Sequence, residues 1–166
     1  MIIWKERGQE QLIIIVENIC CLIFISTKKG RIMFKDDYYS KLHVWIGINH
    51  NENYKSYFEL DWSTHLDDPA YIVCGFCRDI GKKWYDNRCM HVIISNDQRT
   101  PVDVDVLLGE LFVTEETLFD VKEICKMKGI QKANLMFFYI DHETTIQDKD
   151  KLYNGSVYIG EFDCDV

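Results

Sequence analysis

Residues 133–140 read ANLMFFYI, eight positions without a charge between Lys132 and Asp141. Such a run is short for a helix and well suited to a strand, and a strand this apolar has to be covered on both faces. The chain must therefore build a sheet with this strand inside it and supply layers for both sides. A second run, Leu42–Ile48 (LHVWIGI), has the β-branched and aromatic content of another buried strand and ends at the turn cluster Asn49-His50-Asn51.

The remaining pattern supplies the cover. Asn51–Leu60 places Glu52 early and Tyr54, Tyr57 and Phe58 at helical spacing, which predicts a helix capped by asparagine. Asp67-Asp68-Pro69 predicts another helix through Ala70–Cys77, since proline suits the first helical position. His91–Ser95 reads as a short strand, residues 96–101 as a polar loop, and Val102–Leu111 as a helix. Thr114 caps the clearest helix, Glu115–Lys128, with acids in its first turn, lysines in its last, and Gly129 to stop it. Leu118, Val121, Ile124, Cys125 and the stem of Lys128 form its apolar stripe. Tyr153-Asn154-Gly155 turns into Ser156–Phe162, whose alternation predicts a last strand with one wet face. Strands and helices do not alternate strictly. The expectation is one α+β domain over residues 33–166, with a small mixed or antiparallel sheet packed against about three to four helices.

The N-terminal part stands apart. Leu12–Ile25 is the most apolar stretch, but Glu17 and Asn18 interrupt it, and it falls short of the roughly 18 apolar residues of a membrane span. A buried strand or short helix is one reading. Another is that Lys28-Lys29-Gly30-Arg31-Ile32 records a ribosome-binding stretch, so that residues 1–32 are a non-native extension and Met33 is the start. Residues 1–32 carry five bases and three acids, against 14 bases and 24 acids in 33–166.

A net charge of −8 disfavours direct contact with nucleic acid and suits a basic protein partner. Seven cysteines with no secretory signal fit a reducing cytoplasm. Cys74 and Cys77, followed by Cys89 and His91, are the only set that suggests zinc or thiol chemistry. Their spacing departs from zinc-knuckle pairs, and buried thiols are the simpler reading. No nucleophile–base pair, phosphate loop or paired-carboxylate motif is present, so neither catalysis nor a cofactor or metal is expected.

The densest chemistry lies in Phe76–Asp86 (FCRDIGKKWYD), with two acids, three bases and three aromatics around Gly81. Charged residues resist burial unless paired, and Trp and Tyr are frequent interface anchors. Three blocks together resemble the immunity protein 22 family of bacterial polymorphic toxin systems. They are His43–Asn49 with Tyr54–Phe58, then Phe76-x-Arg78-Asp79-Ile80-Gly81 leading to Trp84-Tyr85-Asp86, and Lys132-Ala133-Asn134 with the strand to Tyr139 and Asp141. The resemblance covers about residues 42–143 and departs from the family's acidic and aromatic continuation at Asn87-Arg88-Cys89-Met90. It implies a stoichiometric inhibitor of a cognate toxin, often a nuclease, with Asp79, Trp84, Tyr85 and Asp86 as candidate toxin-binding residues. The competing reading is that Asp79 and Asp86 cap helices or pair with Arg78, while Trp84 fills the core.

Overall fold

The computed structural model describes residues 40–96 and 99–164. The readings of Leu12–Ile25 and of a start at Met33 lie outside the described residues. Seven strands are present among them: β1 (Lys41–Gly47), β2 (Met90–Ile94), β3 (Val102–Asp103), β4 (Lys132–Ala133), β5 (Leu135–Ile140), β6 (Leu152–Tyr153) and β7 (Ser156–Asp163). Five form an antiparallel sheet in the order β2-β5-β1-β7-β6, and β3 pairs with β4 in a separate ribbon. The helices are α1 (Gly75–Ile80), α2 (Val104–Leu108) and α3 (Glu115–Met127), with single 3-10 turns at Tyr54–Tyr57 and Asn87–Cys89. This is the expected single α+β domain, and its main sheet is wholly antiparallel.

β5 and β1 lie in the interior of the sheet, as their uncharged composition requires. From Leu42 to Gly47 every residue of β1 is buried. One face carries Trp45, Phe137, Tyr139 and Tyr158, covered by the 3-10 turn at Tyr54, by α1 and by Tyr85. The other face carries Leu42, Val44, Ile46, Met136 and Phe138, covered by α2 and α3 through Leu107, Leu108, Val121 and Cys125. Trp45 is the hub of the first face. Its indole stacks on Phe137 at 4.9 Å and meets the edge of Phe76 at 5.7 Å. Aromatic pairs in such geometry add about 0.5–1.5 kcal/mol each beyond simple burial, so this face is held chiefly by rings.

His43 is the polar exception inside β1, fully buried between two partners. Its Nε2 lies 3.2 Å from the Asp141 carbonyl and its Nδ1 3.0 Å from the Tyr158 hydroxyl. A carbonyl can only accept, so Nε2 carries the proton, and the Tyr158 hydroxyl donates to Nδ1. The neutral ring is thereby fully satisfied.

Several elements depart from expectation for identifiable reasons. The helix expected over residues 51–60 shrinks to one 3-10 turn. Asn51 N–H donates to the Asn49 side chain and Asn53 N–H to the Asn51 side chain, and these successive Asx turns divert the backbone from a helical start. The helix expected from Ala70 begins only at Gly75. Asp68 accepts from Ala70 N–H, and Asp61 draws in Ile72 N–H at 3.3 Å, so the first turn after Pro69 does not propagate. The helix expected from Val102 to Leu111 yields Val102 and Asp103 to β3, and the Asp103 carboxylate caps a shorter α2. α3 is capped by Thr114 as expected, but Lys128 is exposed rather than laid along the stripe. β7 is buried at Ser156, Tyr158 and Ile159 and alternates with solvent only towards its end. Ile159 is the extra residue of a bulge, since Val44 faces Gly160 while Trp45 faces Tyr158.

Gly47 ends β1 against the tight Asn154-Gly155 turn. A Cβ there would lie 2.5 Å from the Gly155 carbonyl and 2.6 Å from the Ser156 Cα, both backbone atoms. Gly47→Ala is expected to lower stability by about 2 kcal/mol or more, read as a shift of the urea midpoint. A change under ~0.5 kcal/mol would show that this turn yields easily.

Candidate functional site

The Phe76–Asp86 block covers the ring-lined face of the sheet. α1 starts where the Cys74 sulfur accepts from Cys77 N–H at 3.3 Å. Gly75 is needed there, because a Cβ would meet the Tyr57 ring at 2.4 Å. The helix buries Phe76, Cys77 and Ile80 and ends at Gly81, whose φ of 73° is left-handed. Lys82 N–H then closes on the Cys77 carbonyl at 2.9 Å. That turn carries the chain across the sheet edge to Trp84, Tyr85 and Asp86.

The four candidate residues separate by exposure. Tyr85 is buried, edge-on to Phe76 and Tyr139, and its hydroxyl donates to the Phe58 carbonyl at 2.7 Å. Asp86 is nearly buried and caps the 3-10 turn at Asn87, accepting from Arg88 N–H and from the Arg88 guanidinium at 2.6–3.2 Å. The hydrogen bonds of that guanidinium hold the Asp86 carboxyl below its ordinary range. Asp79 is half-buried, with Tyr57 donating at 2.6 Å and Lys151 at 3.0 Å. Trp84 is 43% exposed. The core-filling ring is therefore Tyr85, and the partner of Asp86 is Arg88.

The set suspected of metal or thiol chemistry does not converge. Cys74, Cys77 and Cys89 are buried in the ring-lined cluster. His91 stacks on Phe138 at 4.7 Å, on the opposite face of the sheet. Among the described residues no group of three or more metal-ligating side chains is assembled. The hydrogen bond between the two thiols lowers Cys74 to about 7 and raises Cys77. With only 5% of Cys74 exposed, that thiol serves as the helix cap.

Sequence reading missed the asparagine clasp at the end of the sheet. Asn49 N–H donates to Asn134 Oδ1 at 2.8 Å, and Asn134 Nδ2 returns a bond to the Asn49 carbonyl at 3.0 Å and another to Arg99 at 2.7 Å. Asn49 Nδ2 reaches Asn154, whose own amide donates to the Tyr54 carbonyl. This clasp joins the first and third sequence blocks, and Lys82 joins the second to the third by a 2.6 Å bond to Asp141. A polar residue breaking each apolar run was the only signal for it.

Burial pushes both His43 and His91 below the usual histidine value. Protonation then favours the unfolded chain, so the stability tied to the neutral rings is complete above about pH 6.5 and declines as pH falls through the folded values. Burial alone would raise Asp141. The Lys82 ammonium, the Thr144 hydroxyl and Glu143 N–H outweigh it and hold the carboxyl below its ordinary value. That contribution is complete above about pH 3.9 and is lost in more acid solution. Urea midpoints against pH should therefore fall in two stages, below ~6.5 and again below ~4. His91→Phe, which keeps a ring on Phe138, should remove part of the first stage only.

Two hollows among the described residues, of about 480 and 340 Å³, are lined by other segments than the Phe76–Asp86 block. The block presents an outward surface, bearing one half-exposed indole, built on three sequence segments tied together beneath it. No helix among the described residues is long and apolar enough to cross a membrane. No curated protein and no solved structure matches the chain. A family model described as immunity protein 22 matches residues 42–165, about three-quarters of the length. The three blocks and the clasps that join them all fall within that match, and the chain belongs to the immunity protein 22 family.

Proposed function

We propose that this protein binds and neutralises a cognate bacterial toxin in the cytoplasm, one copy to one, by covering the toxin's working surface without turnover. The family match carries the reading. The charge of −8 supports a basic partner, such as a nuclease domain whose surface must attract phosphate. The separation of His91 from the buried cysteines favours inhibition over thiol or zinc catalysis.

Of the four candidate residues, Trp84 has the most surface to offer a partner, and Arg78 and Lys83 of the same block are exposed as well. Asp79, Tyr85 and Asp86 act beneath it, holding α1, the Phe58 carbonyl and the Asn87 turn in the positions from which Trp84 projects.

Mixing the purified protein with the toxin domain encoded in the same locus should give a one-to-one complex and abolish toxin activity. Absence of binding at micromolar concentration would sink the proposal. Trp84→Ala should weaken binding about tenfold or more, because a half-exposed indole at an interface behaves as an anchor, and should leave the melting temperature unchanged. Tyr85→Phe should do the reverse, lowering stability by about 1 kcal/mol through one lost hydrogen bond while calorimetry records unaltered affinity.

A further inference from the structure

The 17 residues from Phe58 to Cys74 contain neither helix nor strand. Unstructured connections beyond about 12–15 residues are uncommon inside compact domains and usually carry function when they are ordered. This one is ordered by its own hydrogen bonds. The Asp61 carboxylate accepts from Ser63 N–H and hydroxyl and reaches across to Ile72 N–H. Asp68 N–H donates to the His65 carbonyl, Tyr71 N–H to the Asp68 carbonyl, and Ala70 N–H to the Asp68 side chain. The segment is a strap, closed on itself by the Asp61–Ile72 bond.

Three large apolar side chains stand exposed on it among polar ones. Trp62 and Ile72, on either side of that closing bond, are each 72% exposed, and Leu66 at the tip is 38% exposed. Around them stand Glu59, Asp61, Asp67 and Asp68, with no Lys or Arg anywhere from Glu59 through Cys74. Both ends of the strap are fastened to the block that presents Trp84. Tyr85 donates to the Phe58 carbonyl at one end, and Cys74 caps α1 at the other. The apolar residues exposed on and beside α3, Phe112, Phe119 and Met127, lie in a different setting, where Lys122, Lys126 and Lys128 mix with the acids.

We infer that the strap is a docking surface for the basic face of a toxin domain, with Trp62 and Ile72 as apolar anchors in a segment where, His65 aside, every charged side chain is a carboxylate. The inference rests on the toxin-binding reading and extends it from Trp84 to the adjoining strap. Apolar anchors give residence time, and a surrounding charge of one sign speeds encounter with a partner of the other sign. The closing hydrogen bonds hold the strap in shape before binding, which reduces the ordering that association requires.

The test uses the full chain and the toxin domain of the same locus. Wild type, Trp62→Ala/Ile72→Ala, Asp67→Lys and Phe119→Ala are compared by calorimetry and stopped-flow binding at several salt concentrations, with melting temperatures recorded for each. The double variant should fold normally and lose affinity at least about 30-fold, the scale of an interface hot spot. Asp67→Lys should slow association and flatten its salt dependence, and Phe119→Ala should bind as wild type does. If wild type binds and the double variant binds equally well, the strap is overturned while the toxin-binding reading stands. If wild type itself does not bind, both fall. Hydroxyl-radical footprinting of Trp62 in the free protein addresses other occupants. Protection that grows with protein concentration would assign the patch to a second copy, and protection independent of concentration would assign it to the chain's own N-terminal segment. Either result overturns the proposal.

Discussion

Two interior strands that tolerate water on neither face set the terms for the rest of this molecule. β1 and β5 are buried from both sides, with β2, β7 and β6 extending the sheet beside them and the helices and loops covering its faces. α2 and α3 close the aliphatic face. The other face is closed less regularly, by one six-residue helix, two 3-10 turns and an ordered strap, because bulky rings fill the space there. Trp45, Phe137, Tyr85 and Tyr139 all meet Phe76 edge to face, and a few large side chains seal an area that would otherwise need a longer helix. The backbone above them is left free to take irregular paths, which is where binding surfaces are commonly built.

The irregular cover is fixed by polar clasps. Asn49, Asn134 and Asn154 secure one end of the sheet, and Lys82 to Asp141 secures the other side of the block. Each of these groups is wholly or partly removed from water. Loss of one partner would leave another unpaired, at about 1–3 kcal/mol for each neutral group. The segments that carry the family's sequence blocks are thus the segments these clasps hold together. This accounts for a block whose aromatics other than Trp84 turn inward, and it leaves Arg78, Lys83, Trp84 and the neighbouring strap facing outward.

The thiols illustrate how spacing and packing can diverge. Cys74-Gly-Phe-Cys77 and Cys89-Met-His91 look like two ligand pairs when written along the chain. β2 alternates its side chains across the sheet, so His91 faces the side of α2 and α3 while the cysteines lie on the other face, Cys77 within α1 and Cys74 at its cap. A single strand crossing separates them, and the remaining task of Cys74 is to accept one backbone hydrogen bond.

The sequence by itself determined the four longer strands β1, β2, β5 and β7, the antiparallel-compatible α+β class, the Thr114 cap and Gly129 stop of α3, and, through its three sequence blocks, the family. The elements depend on local composition and periodicity and the family on a resemblance of specific residue blocks, and both survive without knowledge of neighbours. Tertiary structure decided the two failed helices after Asn51 and Pro69, the strap they leave behind, and which members of Phe76–Asp86 face outward. Those outcomes turn on competitors for the same groups. Some are local, the Asn49 and Asn51 side chains that take the amides two residues on, and others more distant: Asp61 for Ile72 N–H, the Tyr57 ring against Gly75, Phe58 for the Tyr85 hydroxyl. Local propensity is worth less than 1 kcal/mol per residue for ordinary residues, so a single long-range hydrogen bond or ring contact suffices to override it.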